Sequence, residues 1–162
     1  MLLEPMIFTN GRMVLPDRVA DRLSLRVANG KIVEIGPELR HHDEEVIDLA
    51  GNFLAPGFID LHVHGARGRD AMEGTAEAFR AICEYHAGGG TSSLVLTTVT
   101  APIAEIVRVV DAIDGARGEI PQLRGTHVEG PFISPEKHGA QRKEFIVAPR
   151  PEIGRASCRE RV

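Results

Sequence analysis

The stretch Pro56-Gly57-Phe58-Ile59-Asp60-Leu61-His62-Val63-His64-Gly65 is an apolar run that ends in two histidines one residue apart. As a β-strand it has a side-chain period of two, which puts Asp60, His62 and His64 on one face and Ile59, Leu61 and Val63 on the other. The first face is expected to carry chemistry and the second to enter the core. Imidazoles at i and i+2 sit roughly 7 Å apart at Cα, because a strand rises about 3.3 Å per residue, and they can turn toward one ion. The alternative is a pair of half-buried histidines bonded to backbone. Pro56-Gly57 stops the preceding segment and Gly65 lets the chain bend away, so the pair lies at a strand-to-loop junction, where binding groups concentrate.

Upstream, residues 6 to 55 read as short strands separated by turn signals. Asn10-Gly11 and Asn29-Gly30 each predict a hairpin, since both central residues of a type I′ turn need φ > 0. Val46-Ile47-Asp48-Leu49 and Asn52-Phe53-Leu54 add extended pieces around Gly51. His41 and His42 lie in a run of charged residues and read as a solvated loop. This region is too short to bury both faces of its sheet alone.

Downstream the rhythm becomes strand, helix, strand. Thr75 is a candidate N-cap for a helix carrying Phe79, Ile82, Cys83 and His86 at helical spacing, which Gly88-Gly89-Gly90 ends. His86 reads as a packing or capping residue. Thr91 to Val99 is a second buried strand by its length and β-branching. A second helix shows Ile103, Ile106, Val107, Val110 and Ile113, and Gln122 to Glu129 is a third strand. Strands alternating with helices predict a parallel sheet with helical crossovers.

The third strand repeats the logic of the first, because His127 and Glu129 are again two apart, just before Gly130-Pro131. A carboxylate at that rim supplies an oxygen ligand to complete or bridge a mixed nitrogen and oxygen metal site. The other reading of Glu129 is an ion pair with Arg124 or Lys137, and His127 reads equally as a layer residue inside a barrel.

The run Gly57-Phe58-Ile59-Asp60-Leu61-His62-Val63-His64 resembles the first barrel strand of the amidohydrolase superfamily. Thr126-His127-Val128-Glu129-Gly130-Pro131-Phe132-Ile133, followed by Lys137-His138-Gly139-Ala140-Gln141, is similar to the N-acetylglucosamine-6-phosphate deacetylase family within it. The resemblance runs from about residue 6 to about residue 151. It implies an α/β fold: the N-terminal part of a (β/α)8 metal-dependent hydrolase barrel preceded by a small β-sandwich region. The domains expected are 1–55 for the β region, incomplete without C-terminal strands, and 56–151 for the first three βα units. The resemblance also implies Glu129 as a metal ligand, with His62 and His64 beside it, and Ala140 and Gln141 as substrate contacts. Many relatives carry a histidine at the position of Gln141. Some lack the first-strand histidine pair and hold one metal, so one or two divalent ions, Zn or Fe, are implied.

The implied reaction is deacetylation of N-acetylglucosamine 6-phosphate to glucosamine 6-phosphate and acetate, in a full-length parent that is a homodimer acting on a phosphorylated amino sugar. The catalytic acid of relatives is an aspartate at the last barrel strand, outside this chain, so no catalytic residue is assigned and the piece alone is expected to be inactive. Two other readings are a dihydroorotase-like cyclic amidase and a non-catalytic truncated module. The cyclic amidases generally bring a carboxylated lysine, not a glutamate, to this rim.

Length and composition agree with a truncated hydrolase. A closed barrel of this type takes about 250 residues, and the chain has 162. Residues 152–162 are polar and arginine-rich, without barrel periodicity, and read as an adaptor-derived or disordered tail. A net charge of −4 gives no basic excess for nucleic acid. No apolar run reaches the roughly 18 residues of a membrane span, and Glu4-Pro5 interrupts any signal-peptide core, so a cytoplasmic chain is expected. Cys83 and Cys158 lack metal-ligand spacing, and Cys83 reads as a small buried hydrophobe.

Overall fold

The computed structural model describes residues 4–40 and 43–149. His41, His42 and the tail 152–162 lie outside the described residues. The chain divides into two compact units, Met1–Pro56 and Gly57–Val162.

In the first unit, β1 (Met6–Val14), β2 (Val19–Ala28), β3 (Lys31–Gly36), β4 (Glu45–Asp48) and β5 (Phe53–Leu54) form one five-stranded sheet. β1 pairs antiparallel with β2, which pairs antiparallel with β3, while β4 and β5 run parallel to β1. The β2–β3 hairpin turns at Asn29-Gly30 as expected, with φ of 52° and 71°.

Asn10-Gly11 makes no hairpin. β1 runs straight through it, and the register against β2 jumps between Phe8 and Gly11, which is a β-bulge. Asn10 takes φ 53°, and its Nδ2 donates to Asp48 Oδ1 at 2.7 Å. Gly11 is glycine because a Cβ there would run into the Leu49 side chain. The reversal comes later, at Pro16-Asp17, where Leu15 N–H donates to the Arg18 carbonyl at 2.8 Å. Pro presets the first turn angle and Asp favours turns, so that signal was present in the sequence.

The described residues of this unit form one sheet layer. Val19, Ile32, Val33, Ile35, Val46 and Phe53 are exposed on it.

The second unit holds a three-stranded parallel sheet of β6 (Phe58–Val63), β9 (Thr91–Thr97) and β10 (Leu123–His127), with β9 in the centre. After β6 a small ribbon, β7 (Gly65–Ala66) with β8 (Arg69–Asp70), leads through a 3-10 turn at Ala71–Glu73 into α1 (Ala76–Gly88). Thr75 caps α1, its Oγ1 accepting from Ala78 N–H at 3.3 Å. α2 (Ile103–Ala116) connects β9 to β10.

The two helices bury Phe79, Ile82 and Cys83 of α1 and Val109, Ile113 and Ala116 of α2 against Leu94 and Leu96 of β9 and Leu123 of β10. Val109, not Val107 or Val110, lies on the buried stripe of α2, with Ile106 and Ile113.

One expectation for β6 fails. Val63 is buried, but Ile59 and Leu61 on the same face are 71 % and 66 % exposed. β6 is an edge strand among the described residues, and the helices pack chiefly over β9 and β10. Apolar alternation signals a face suited to burial, and the cover must come from elsewhere.

Candidate metal centre

His62, near the C-terminal end of β6, and His64, just beyond it, turn their rings toward the C-terminal end of β10, where Glu129 lies two residues past the strand. The Nε2 atoms of His62 and His64 are 3.1 Å apart. Glu129 Oε2 is 3.3 Å from the first and 3.0 Å from the second. Glu129 faces the histidines; Arg124 instead donates its Nε to Ser93 Oγ at 3.0 Å. His127 sets its ring edge-on against His62, with centroids 4.9 Å apart, and stays outside the three-atom group.

Backbone contacts set the chemistry of these atoms. His64 Nδ1 lies 3.1 Å from the Thr97 carbonyl. A carbonyl only accepts, so Nδ1 carries the proton and, in the neutral ring, Nε2 presents a lone pair. That nitrogen lies 3.0 Å from a carboxylate oxygen of Glu129. Glu129 Oε2 is itself buried and has no hydrogen-bond partner, because neither imidazole meets it with hydrogen-bond geometry despite the short distances.

Electron-rich atoms packed this closely repel unless a proton or cation lies among them. Ligand–metal distances of about 2.0–2.2 Å in a tetrahedral site separate neighbouring ligand atoms by about 3.3–3.6 Å. The observed separations of 3.0–3.3 Å are close to that spacing. Two imidazole nitrogens and one carboxylate oxygen also suit a divalent transition metal better than magnesium or calcium. His62 is half-exposed, which leaves an entry path. The residues therefore fit a divalent ion.

Ala140 is exposed in the loop after the Glu129 turn. Gln141 is half-buried, and its Oε1 accepts from Thr100 N–H at 2.6 Å, while its carbonyl lies 2.9 Å from His138 Nδ1. The Oε1 end of the Gln141 amide thus braces the loop after β9.

The residues missed by pattern reasoning are the threonines behind the group. Thr97, Thr98 and Thr100 are buried at the C-terminal end of β9. Periodicity reads them as β-branched filler, although the hydroxyls of Thr97 and Thr98 both accept backbone hydrogen bonds.

The parallel strands, the helical layer over them and a His-His-Glu group at the strand ends that could hold a metal ion make up one α/β unit. A model of the amidohydrolase family matches residues 53–161, and the chain belongs to that family.

Particular relatives narrow the comparison. The N-acetylglucosamine-6-phosphate deacetylase of Lysinibacillus sphaericus is 29 % identical over 82 % of this chain and 35 % of its own length. The crystal structure of the N-acetylglucosamine-6-phosphate deacetylase from Pasteurella multocida superposes with a TM-score of 0.87 at 31 % identity, over 93 % of this chain and 40 % of that one. A dihydroorotase of Macrococcus caseolyticus is 29 % identical over 67 % of this chain and 24 % of its own length. The chain thus spans well under half the length of the relatives it matches.

Proposed function

We propose that the chain is part of a deacetylase that hydrolyses N-acetylglucosamine 6-phosphate to glucosamine 6-phosphate and acetate. The observation that carries this reading is the convergence of two imidazole Nε2 atoms and a buried carboxylate oxygen at the strand ends, within 3.0–3.3 Å of each other. The deacetylase relatives support the choice of substrate. We place β6, β9 and β10 with their helices as the opening of a (β/α)8 barrel, and the sheet of the first unit as one layer of a small β-sandwich. The domains we propose are 1–55, 56–151 and 152–162.

Glu129, His62 and His64 would hold one or two divalent ions, zinc or iron. Such an ion supplies Lewis acidity: it polarises a carbonyl and lowers the pKa of water to about 7. The protein's own residues do the rest. Thr97 fixes the tautomer of His64, so that Nε2 faces the reacting centre. Glu129 contributes the negative charge that balances the site. Ala140 and the NH2 end of Gln141 orient the sugar.

Hydrolysis adds water across the amide C–N bond; acetate departs and the amine gains a proton. The donor of that proton is an aspartate outside this chain, on our reading of the family resemblance. The whole enzyme is a cytoplasmic homodimer with no nucleic-acid or membrane partner. Among the described residues, no helix is long and apolar enough to cross a membrane.

The test is acetate release by the full-length protein from N-acetylglucosamine 6-phosphate, with dihydroorotate offered in parallel. In Glu129→Gln, metal content by elemental analysis and acetate release are expected to fall beyond the about 10–100-fold typical of outer-shell changes. Its melting temperature is expected to stay near that of the parent. Unchanged metal and activity, or turnover of dihydroorotate alone, would sink the reading.

A further inference from the structure

The three residues of the candidate centre come from two strands that do not touch, since β9 lies between β6 and β10. What holds them together is therefore on β9. Thr97, the last residue of β9, and Thr98, just past it, are both fully buried, and a buried hydroxyl without a partner is destabilising. Each has partners, and those are residues of the candidate centre or their near neighbours in the chain.

Thr97 Oγ1 accepts from Val63 N–H, between the two histidines, at 3.0 Å. The Thr97 carbonyl holds His64 Nδ1. On the other side, Thr98 N–H donates to the His127 carbonyl at 3.0 Å, and Thr98 Oγ1 accepts from Glu129 N–H at 3.3 Å.

The bond to Glu129 matters most. β10 ends at His127, so its ladder does not reach Glu129. The next residue, Gly130, takes φ 76°, and a Cβ there would collide with Thr100. Glu129 thus sits between the end of a strand and a tight turn, and its backbone N–H is fixed by a side chain from the neighbouring strand. A rotation of that peptide would carry the carboxylate away from the imidazoles.

We propose that Thr98 is a positioning residue that holds Glu129 Oε2 opposite the Nε2 atoms of His62 and His64, with Thr97 doing the same for the histidine strand. This rests on the reading of the group as a cation site. Thr98 is not one of the three candidate ligands. It acts through Glu129, as outer-shell partners orient metal ligands elsewhere.

The experiment uses the full-length protein in three variants. Thr98→Val keeps shape and branching and removes the acceptor, whereas Thr98→Ser keeps the acceptor. Thr91→Val removes a buried hydroxyl at the opposite end of β9. Co(II) affinity is read from visible absorption against a competing chelator. Hydrogen exchange at the Glu129 amide is read by mass spectrometry on the metal-free protein.

Thr98→Val is expected to weaken Co(II) binding about 10–100-fold and to speed exchange at Glu129. Thr98→Ser and Thr91→Val are expected to stay within about 3-fold of the parent, below that range. Parent-like affinity in Thr98→Val, or equal loss in Thr98→Ser, would overturn the proposal. Should Thr98→Val not fold, fast exchange at Glu129 in the parent itself would overturn it, and slow exchange retained in Thr98→Ser would support it. If the parent binds no Co(II), the cation reading fails, and the exchange comparison still decides whether Thr98 holds Glu129.

Discussion

β9 meets two different environments along its length. At Leu94 and Leu96 it lies under α1 and α2, where a dozen buried residues share one apolar cluster. At Thr97 and Thr98, the next two residues at its end, the chain makes a few directional bonds to the segments beside it. The first environment gains stability in proportion to area and tolerates exchange of one apolar shape for another. The second gains little net stability per bond, yet each bond fixes an angle. The contrast implies that stability and chemistry can be broken separately within a single strand's surroundings.

The largest expected effect is on the apolar side. Phe79 is fully buried in the cluster, and Phe79→Ala is expected to cost about 3–5 kcal/mol. Urea unfolding of the full-length protein measures this. Below the transition the variant should keep its metal stoichiometry; loss of metal at equal folding would erase the distinction between the two environments.

A smaller effect on stability and a larger one on chemistry is expected from His62→Asn combined with His64→Asn. This double variant should lose any second ion and part of its activity, with unfolding shifted by no more than about 1 kcal/mol, near the range for sites outside the core. Elemental analysis beside the same urea titration checks both halves. Full stoichiometry would remove the pair from the site.

The subtlest test uses pH. Burial, with help from the Glu84 carboxylate, pushes the Cys83 thiol up from 9.0 to about 11. The folded state therefore keeps its proton where the unfolded chain gives it up. That contribution is fully present below pH 9 and declines at about 1.4 kcal/mol per unit as pH rises toward the folded value. Comparison of the parent with Cys83→Ala at pH 8 and pH 10.5 should show the parent losing more stability over that interval. Parallel curves would mean that the thiolate is tolerated in the apolar layer.

Much of this arrangement was legible in the sequence, and its failures have physical causes. The period of two put His62 and His64 on one face; the same spacing pointed to Glu129, which in the structure lies past the end of β10 and is held there by Thr98. Thr75, Phe79, Ile82 and Cys83 marked α1 because capping and a 3.6-residue repeat are local properties.

Where the answer depended on a neighbour, local reading fell short. Two Asn-Gly pairs look alike, since both supply φ > 0. Asn29-Gly30 turns a hairpin, while Asn10-Gly11 makes a bulge because Leu49 and Asp48 dock against it. Ile59 and Leu61 were read as core from alternation alone, and alternation carries no information on whether a cover is present. Thr97 and Thr98 escaped notice because a hydroxyl declares its role only through the partner it meets.

The position of Glu129 on the third strand has a consequence for the order of events during synthesis. Ribosomes add about 5–20 residues per second, so the interval between His62 and Glu129 takes several seconds. Until then the histidine pair emerges without the carboxylate that completes the group. Because β9 is the bridge, the missing oxygen falls into place only when both later strands have docked. Ion capture would then report that the sheet has assembled, and a chain stalled before residue 129 would present two imidazoles with a hold on metal too weak to commit it.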